Sequence, residues 1–227
     1  EQEILNEVKS ICAGFLNAPQ TDYEVIFTSN TTEAINLAAE SFSCEAEELG
    51  EWIVLNTVLE HSSNELPWRL IPHSSLISLG VDAEGFIDLE ELERHLISYN
   101  QNGEYGKKRI KLVAISGASN VLGVCTNLSE MSRIVHKYDA QLLVDAAQLI
   151  AHAKIDMDAN KIDYLVFSAH KVYAPFGSGA LVVRKGLLNF SSSEQELIQA
   201  SGEENKAGIS ALGKSLARHG LSDGRAV

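Results

Sequence analysis

The amino-acid sequence predicts an α/β fold, a mostly parallel seven-stranded sheet flanked by helices. Three observations predict it. Short apolar runs rich in Val, Ile and Leu recur along the chain, segments with apolar residues at helical spacing separate them, and no internal repeat interrupts the alternation. Strand and helix signals that alternate in this way are the pattern of parallel strands joined by crossover helices. The composition agrees, since the 227 residues are 45% hydrophobic and 22% charged, close to globular averages.

The elements follow in order. Ile4, Leu5, Val8, Ile11, Cys12 and Phe15 share one face of a predicted helix over residues 1–17. EVIFTS (24–29) reads as the first strand, and the segment after it as a helix over 31–42. WIVLNT (52–57), a helix over 63–71 and SLISLG (75–80) come next. Asp88 with Glu91, and Asn127 with Glu130, have the spacing of a capping residue and an acid three positions on, and they open helices over 88–99 and 128–138. KLVAIS (111–116), QLLVDA (141–146), DYLVFS (163–168) and GALVVR (179–184) supply the remaining strands. A last helix covers 205–218, ahead of Gly220. Residues 100–108 read as an exposed loop, and SSSEQE (191–196) as a hinge or linker.

Charge excludes further classes. With 18 basic and 31 acidic side chains the formal net charge is −13, which argues against nucleic acid, because neutralising phosphates requires clustered Lys and Arg. The short basic cluster from Lys107 to Lys111 reads as a solvated loop. Cys12, Cys44 and Cys125 are widely spaced with no CxxC pair, so neither a zinc site nor any other metal site is expected, and a reducing, cytoplasmic setting is. No stretch approaches the roughly 20 apolar residues of a bilayer span. A start on Glu1 within a helical pattern, and an end in LSDGRAV without a further core element, predict that residues 1–227 are a fragment of a longer protein.

In a parallel sheet ligands collect where strands end and helices begin. After 24–29, Thr31 and Thr32 stand at a helix start, where free N–H groups attract a phosphate; a plain N-cap is the alternative. After 52–57 comes His61; a lone histidine there is more often a satisfied loop or core residue than a catalytic one. Asn120, between Gly117 and Gly123, either reaches a ligand or braces its turn. Asp145 ends a very apolar strand and needs a cationic partner unless it caps a helix; Gln148 follows it. Ser168, His170 and Lys171 precede a turn containing Pro175, Gly177 and Gly179. The apolar sequence on both sides of Lys171 predicts a desolvated amine, as imine chemistry needs; an exposed turn lysine is the alternative. A phosphate site, an aspartate seeking a ring cation and a nucleophilic lysine are together the parts of a pyridoxal 5'-phosphate site.

FTSNTTEAINL, EHSSNELPW, SNVLG, LLVDAAQ and FSAHKVYAPFGSGAL stand in the order and spacing of a known family, from about Asp22 to Gly213. The chain resembles the class V aminotransferases within the fold type I pyridoxal phosphate enzymes, especially their cysteine desulfurase and selenocysteine lyase branch. The resemblance implies catalytic roles for Lys171, His61 and Asp145: Lys171 as the Schiff-base former, His61 stacked on the cofactor ring, and Asp145 paired with the pyridine nitrogen. It places Gln148 at the ring hydroxyl, Asn120 beside the ring, and Thr31, Thr32, Ser168 and His170 at the phosphate.

The resemblance further implies an amino-acid substrate, a homodimer and a sulfur-acceptor protein. It also implies an N-terminal segment before this chain and a small C-terminal domain after it, which would carry the substrate-binding Arg and the sulfur-accepting Cys. Three departures stand out. Asn30 replaces a common Gly, Ser62 replaces a second His, and Glu203 stands where relatives place a Thr against the neighbouring subunit's phosphate. The implied activity is removal of sulfur or selenium from an amino acid. An aminotransferase, epimerase or kynureninase-like hydrolase is the nearest rival, and a non-catalytic large-domain fragment the alternative from another class.

Overall fold

A computed structural model describes residues 2–49, 51–119, 121–174, 177–190 and 206–220, without the side chains at 2, 45–49, 206, 219 and 220. Helices are α1 (Gln2–Phe15), α2 (Thr31–Leu49), α3 (Leu66–Leu70), α4 (Leu89–Leu96), α5 (Leu128–Lys137) and α6 (Lys206–Gly220). Strands are β1 (Tyr23–Thr28), β2 (Trp52–Thr57), β3 (Ser74–Leu79), β4 (Arg109–Ser116), β5 (Gln141–Asp145), β6 (Tyr164–Ser168) and β7 (Gly179–Arg184).

The strands form one seven-stranded sheet in the order β1-β7-β6-β5-β4-β2-β3. From β6 to β3 every pairing is parallel, while β7 runs antiparallel to both β6 and β1. Period-two alternation divides each central strand between two cores. On β4, Val113 and Ile115 face a core shared with Leu16, Val135, Phe167 and Leu212. Leu112 and Ala114 face the opposite core, built with Ile35, Phe42, Trp68 and Val166. Burial on both faces explains why these strands read as continuous apolar runs rather than alternating ones.

Strands β2 and β7 occupy the predicted 52–57 and 179–184, and the others lie within two residues of prediction. Helices differ more. The segment predicted as one helix over 63–71 is a 3-10 turn (Ser62–Asn64) followed by α3, because Pro67 sits at a helix start and the His61 side chain caps the turn before it. The helix predicted over 88–99 ends as α-helix at Leu96 and continues as a π turn, Ile97–Gln101. Asn100 explains the change: its Nδ2 donates to the carbonyls of Ile110 (2.9 Å) and Tyr138 (2.8 Å), and its Oδ1 accepts from the Ile110 amide (2.8 Å). Helix α2 runs on to Leu49, beyond the predicted 42. The predicted hinge at 191–196 lies outside the described residues. No described helix is long and apolar enough to cross a membrane.

One close approach sets the geometry of the site. Gly179 opens β7 where the chain before α2 crosses it, and a Cβ there would lie 2.6 Å from the Phe167 carbonyl oxygen and 3.0 Å from the Asn30 backbone. Only glycine lets the start of α2 sit against the end of β6.

Candidate active site

The carboxyl ends of β2, β4, β5 and β6 and the start of α2 surround a cleft of about 190 Å³. Thr31 and Thr32 line one wall, His61 and Ser63 another, Ser116 and Ala118 come from the end of β4, Asp145 and Gln148 from that of β5, and Ser168 and Lys171 from that of β6. Seven of the nine residues singled out in the sequence therefore meet in one place. His170 is half-buried but does not line the cleft, and burial, followed by the charge of Lys171, lowers its pKa. Asn120 lies outside the described residues, as do Pro175 and Glu203.

The start of α2 is capped by Asn30, whose Oδ1 accepts from the Glu33 amide at 2.9 Å, so Thr31 and Thr32 are not the cap. Glu33 turns back to the Ser29 amide (2.6 Å) and also meets the Ser29 hydroxyl. Thr31 is tied instead to β6: its amide donates to Ser168 Oγ at 2.8 Å and the two hydroxyls lie 2.7 Å apart. The Thr32 amide makes no hydrogen bond among the described residues. A free amide and two hydroxyls at the positive end of a long helix suit an anionic group.

Asp145 is buried at 5% exposure, and no cationic side chain forms an ion pair with it among the described residues. Its Oδ1 accepts from the Ala147 amide at 2.9 Å, and Oδ2 has no partner among the described residues. Burial pushes its pKa up to about 6; the Ala147 hydrogen bond opposes the rise, the negative charge of Glu60 adds to it, and His61 opposes it. A buried carboxylate in this state is matched by a cation entering the cleft, as a protonated pyridine nitrogen would do.

Lys171 is half-buried rather than fully desolvated, because the chain turns outward at Tyr173, which is 83% exposed. It lines the cleft. Sequence reasoning missed Glu60, Ser63 and Ser116. Glu60 Oε1 accepts from Thr57 Oγ1 (2.7 Å), and Oε2 accepts from Asn64 Nδ2 (2.8 Å) and Ser116 Oγ (2.7 Å). This fastens the turn after β2 to the end of β4, whose Ser116 stands beside Asp145 in the register of β4 and β5. The only signal for it was an acid directly before His61. A second cleft of about 200 Å³, walled by Phe86, Ile87, Leu89, Val124 and Met131, adjoins the first at Ser116. Cys12 is buried, its thiol pushed up to about 12 by burial, while Cys44 and Cys125 are exposed.

The sequence model of the family Aminotransferase class-V matches residues 1–203. A cysteine desulfurase of Enterobacter sp. (strain 638) is 36% identical over 187 residues, covering 81% of this chain and 43% of that protein. One of Synechococcus elongatus is 37% identical over 178 residues, covering 77% of this chain and 26% of that protein. Among solved structures, a cysteine desulfurase from Escherichia coli superposes with a TM-score of 0.80 at 25% identity, over 98% of this chain and 58% of that one. A NifS-like protein gives 0.82 at 26% identity, over 98% and 60%. The chain thus spans less than half the length of these curated relatives.

A mostly parallel sheet with a lysine, a buried aspartate and a helix start gathered at its carboxyl edge has the fold of a fold type I large domain. The chain belongs to the class V aminotransferase family, whose members depend on pyridoxal phosphate.

Proposed function

We propose that the chain is the large, cofactor-binding domain of a pyridoxal phosphate enzyme of the cysteine desulfurase type, acting on an amino-acid substrate. The observation that carries this reading is the buried Asp145 carboxylate, without a cationic partner among the described residues, in a cleft that Lys171 also lines. The residues fit the cofactor. Thr31, Thr32 and Ser168 would hold its phosphate at the start of α2, with His170 next in the chain, and Asp145 would keep its ring nitrogen protonated. Gln148 would meet the ring hydroxyl, His61 and Asn120 would lie against the ring, and Lys171 would bind its aldehyde. When bound, the cofactor supplies an electron sink for bonds at the substrate Cα.

The protein's own contribution is placement and charge. Asp145 stabilises a positive ring because water is kept from it, and Lys171 remains accessible enough to exchange a proton with a substrate. The relatives named cysteine desulfurases support cysteine as substrate, and the sulfur removed would pass to an acceptor protein. We place the substrate-carboxylate and sulfur-accepting groups in segments beyond this chain, since none of Cys12, Cys44 and Cys125 lines the cleft. A homodimer is supported by large apolar side chains left in solvent, with Leu70 at 81% and Val121 at 77% exposure. A reducing, cytoplasmic setting accords with three widely spaced cysteines that form no CxxC pair.

Incubation with pyridoxal phosphate, borohydride reduction and peptide mapping test the reading. A pyridoxyl adduct confined to the peptide carrying Lys171 is expected. No adduct, or label spread over surface lysines, would make the chain a scaffold without this chemistry.

A further inference from the structure

We infer that Ser63 is a positioning residue that holds the His61 ring with Nδ1 as acceptor and leaves the ring proton on Nε2. His61 precedes the turn Ser62–Asn64, and its side chain folds back over that turn. Nδ1 accepts from the Ser63 amide at 3.2 Å and lies 2.7 Å from the Ser63 hydroxyl oxygen. A backbone N–H can only donate, so Nδ1 carries no proton in this arrangement. The hydroxyl must then donate to the same nitrogen. A neutral imidazole has one ring proton, and that leaves Nε2 as its position.

Nε2 has no partner among the described residues, and both His61 and Ser63 line the cleft. The ring is thus held as a directed hydrogen-bond donor, and the ligand atom it suits is an acceptor, a carboxylate or phenolate oxygen. The turn beneath it is itself anchored. Glu60 Oε2 accepts from Asn64 Nδ2 at 2.8 Å, and Asn64 Oδ1 accepts from the buried Trp68 indole at 3.0 Å. The imidazole therefore rotates only by breaking its bonds to Ser63. The inference rests on the cofactor reading for its consequence at a ligand, and not for the state of the ring.

The test uses the chain without cofactor, labelled with nitrogen-15 histidine, in a long-range proton–nitrogen correlation spectrum at alkaline pH. The His61 signals are identified by their loss in His61→Asn. For His61, Nδ1 is expected at the shift of an unprotonated nitrogen and Nε2 at that of a protonated one. Ser63→Ala keeps the amide but loses the hydroxyl, so the two shifts move toward each other as tautomers mix, and Ser63→Thr restores the original pair. A proton on Nδ1 in the unmodified chain, or an unchanged spectrum in Ser63→Ala, overturns the proposal. Neither result depends on cofactor, so a failure here is separate from a failure of labelling at Lys171.

Discussion

Thr31 and Ser168 stand 137 positions apart in the chain and share two contacts, amide to hydroxyl at 2.8 Å and hydroxyl to hydroxyl at 2.7 Å. Both residues are buried. The pair locks the start of α2 to the end of β6, so the helix terminus and the strand that leads to Lys171 move as one body. Ser168→Ala would leave the buried Thr31 amide without an acceptor, a loss of about 1–3 kcal/mol. Urea unfolding is expected to show that destabilisation. Affinity for pyridoxal phosphate, followed by its absorbance, should fall roughly tenfold or more, given about 1.4 kcal/mol per tenfold change. Unchanged affinity would remove Ser168 from the phosphate wall.

Gly179→Ala tests the same junction from the other side. Its methyl group would meet backbone rather than flexible side chain, at 2.6 Å from the Phe167 carbonyl and 3.0 Å from Asn30. Backbone cannot give way as a side-chain end can, so the start of α2 must move away from β6. A destabilisation of about 1–3 kcal/mol is expected. Cofactor affinity should fall with it, whereas a cavity-forming substitution in the core on the far side of the sheet from α2, Leu212→Ala, should lower stability without that specific loss. Equal cofactor affinity in Gly179→Ala and the parent chain would show that the junction does not shape the cleft.

Asp145 carries a stability cost with a definite pH dependence. Its pKa is raised from 3.8 to about 6, chiefly by burial, so the folded state resists ionisation more than the unfolded state does. The penalty is absent below the unfolded value, grows as pH rises through that window and is complete above it. Its size at neutral pH is about 3 kcal/mol. Asp145→Asn should therefore stabilise the cofactor-free chain at neutral pH by up to that amount and leave it unchanged in acid. The same substitution should abolish the cofactor's charged-ring absorbance. Thermal melts across pH, with and without pyridoxal phosphate, separate the two effects. A neutral-pH melting temperature that falls in Asp145→Asn would contradict the burial argument.

The sheet was legible in the sequence because strands buried on both faces leave unbroken apolar runs, as in WIVLNT and GALVVR. Residues at strand ends were legible for a related reason: Asp145 and Lys171 are conspicuous beside such runs. The cap of α2 was not. Ser29, Asn30, Thr31 and Thr32 all have capping side chains. Which of them caps is decided by Ser168, which claims Thr31 and leaves the helix start to Asn30. Glu60 was hidden likewise, since its partner Ser116 is 56 positions away and meets it only once β2 and β4 pair. The half-burial of Lys171, between its two sequence readings, was not legible because the outward turn at Tyr173, in left-handed backbone with φ 62, has no glycine to announce it.

Glu60 offers a contrast between charge and bracing. Burial raises its pKa, and hydrogen bonds from Ser116, Thr57 and Asn64 oppose the rise without cancelling it. All three donors are neutral, so a charge on this carboxylate is balanced by no cation among the described residues, and it lies close enough to Asp145 to disfavour ionisation there. Glu60→Gln keeps an oxygen for Asn64 and Ser116, and its amide can donate to Thr57 Oγ1, so the brace survives while the charge goes. It should leave stability unchanged in acid, raise it modestly above the usual carboxylate range, and make Asp145 easier to ionise. Glu60→Ala removes the brace as well, leaving three donors short of an acceptor at a cost of about 1–3 kcal/mol, and should free the turn carrying His61. Chemical denaturation of both variants at acid and neutral pH, with histidine nitrogen shifts as the reporter of the turn, separates the two roles. If Glu60→Gln loosens His61 as much as Glu60→Ala does, the carboxylate charge rather than its hydrogen bonds holds the turn, and the bracing account fails.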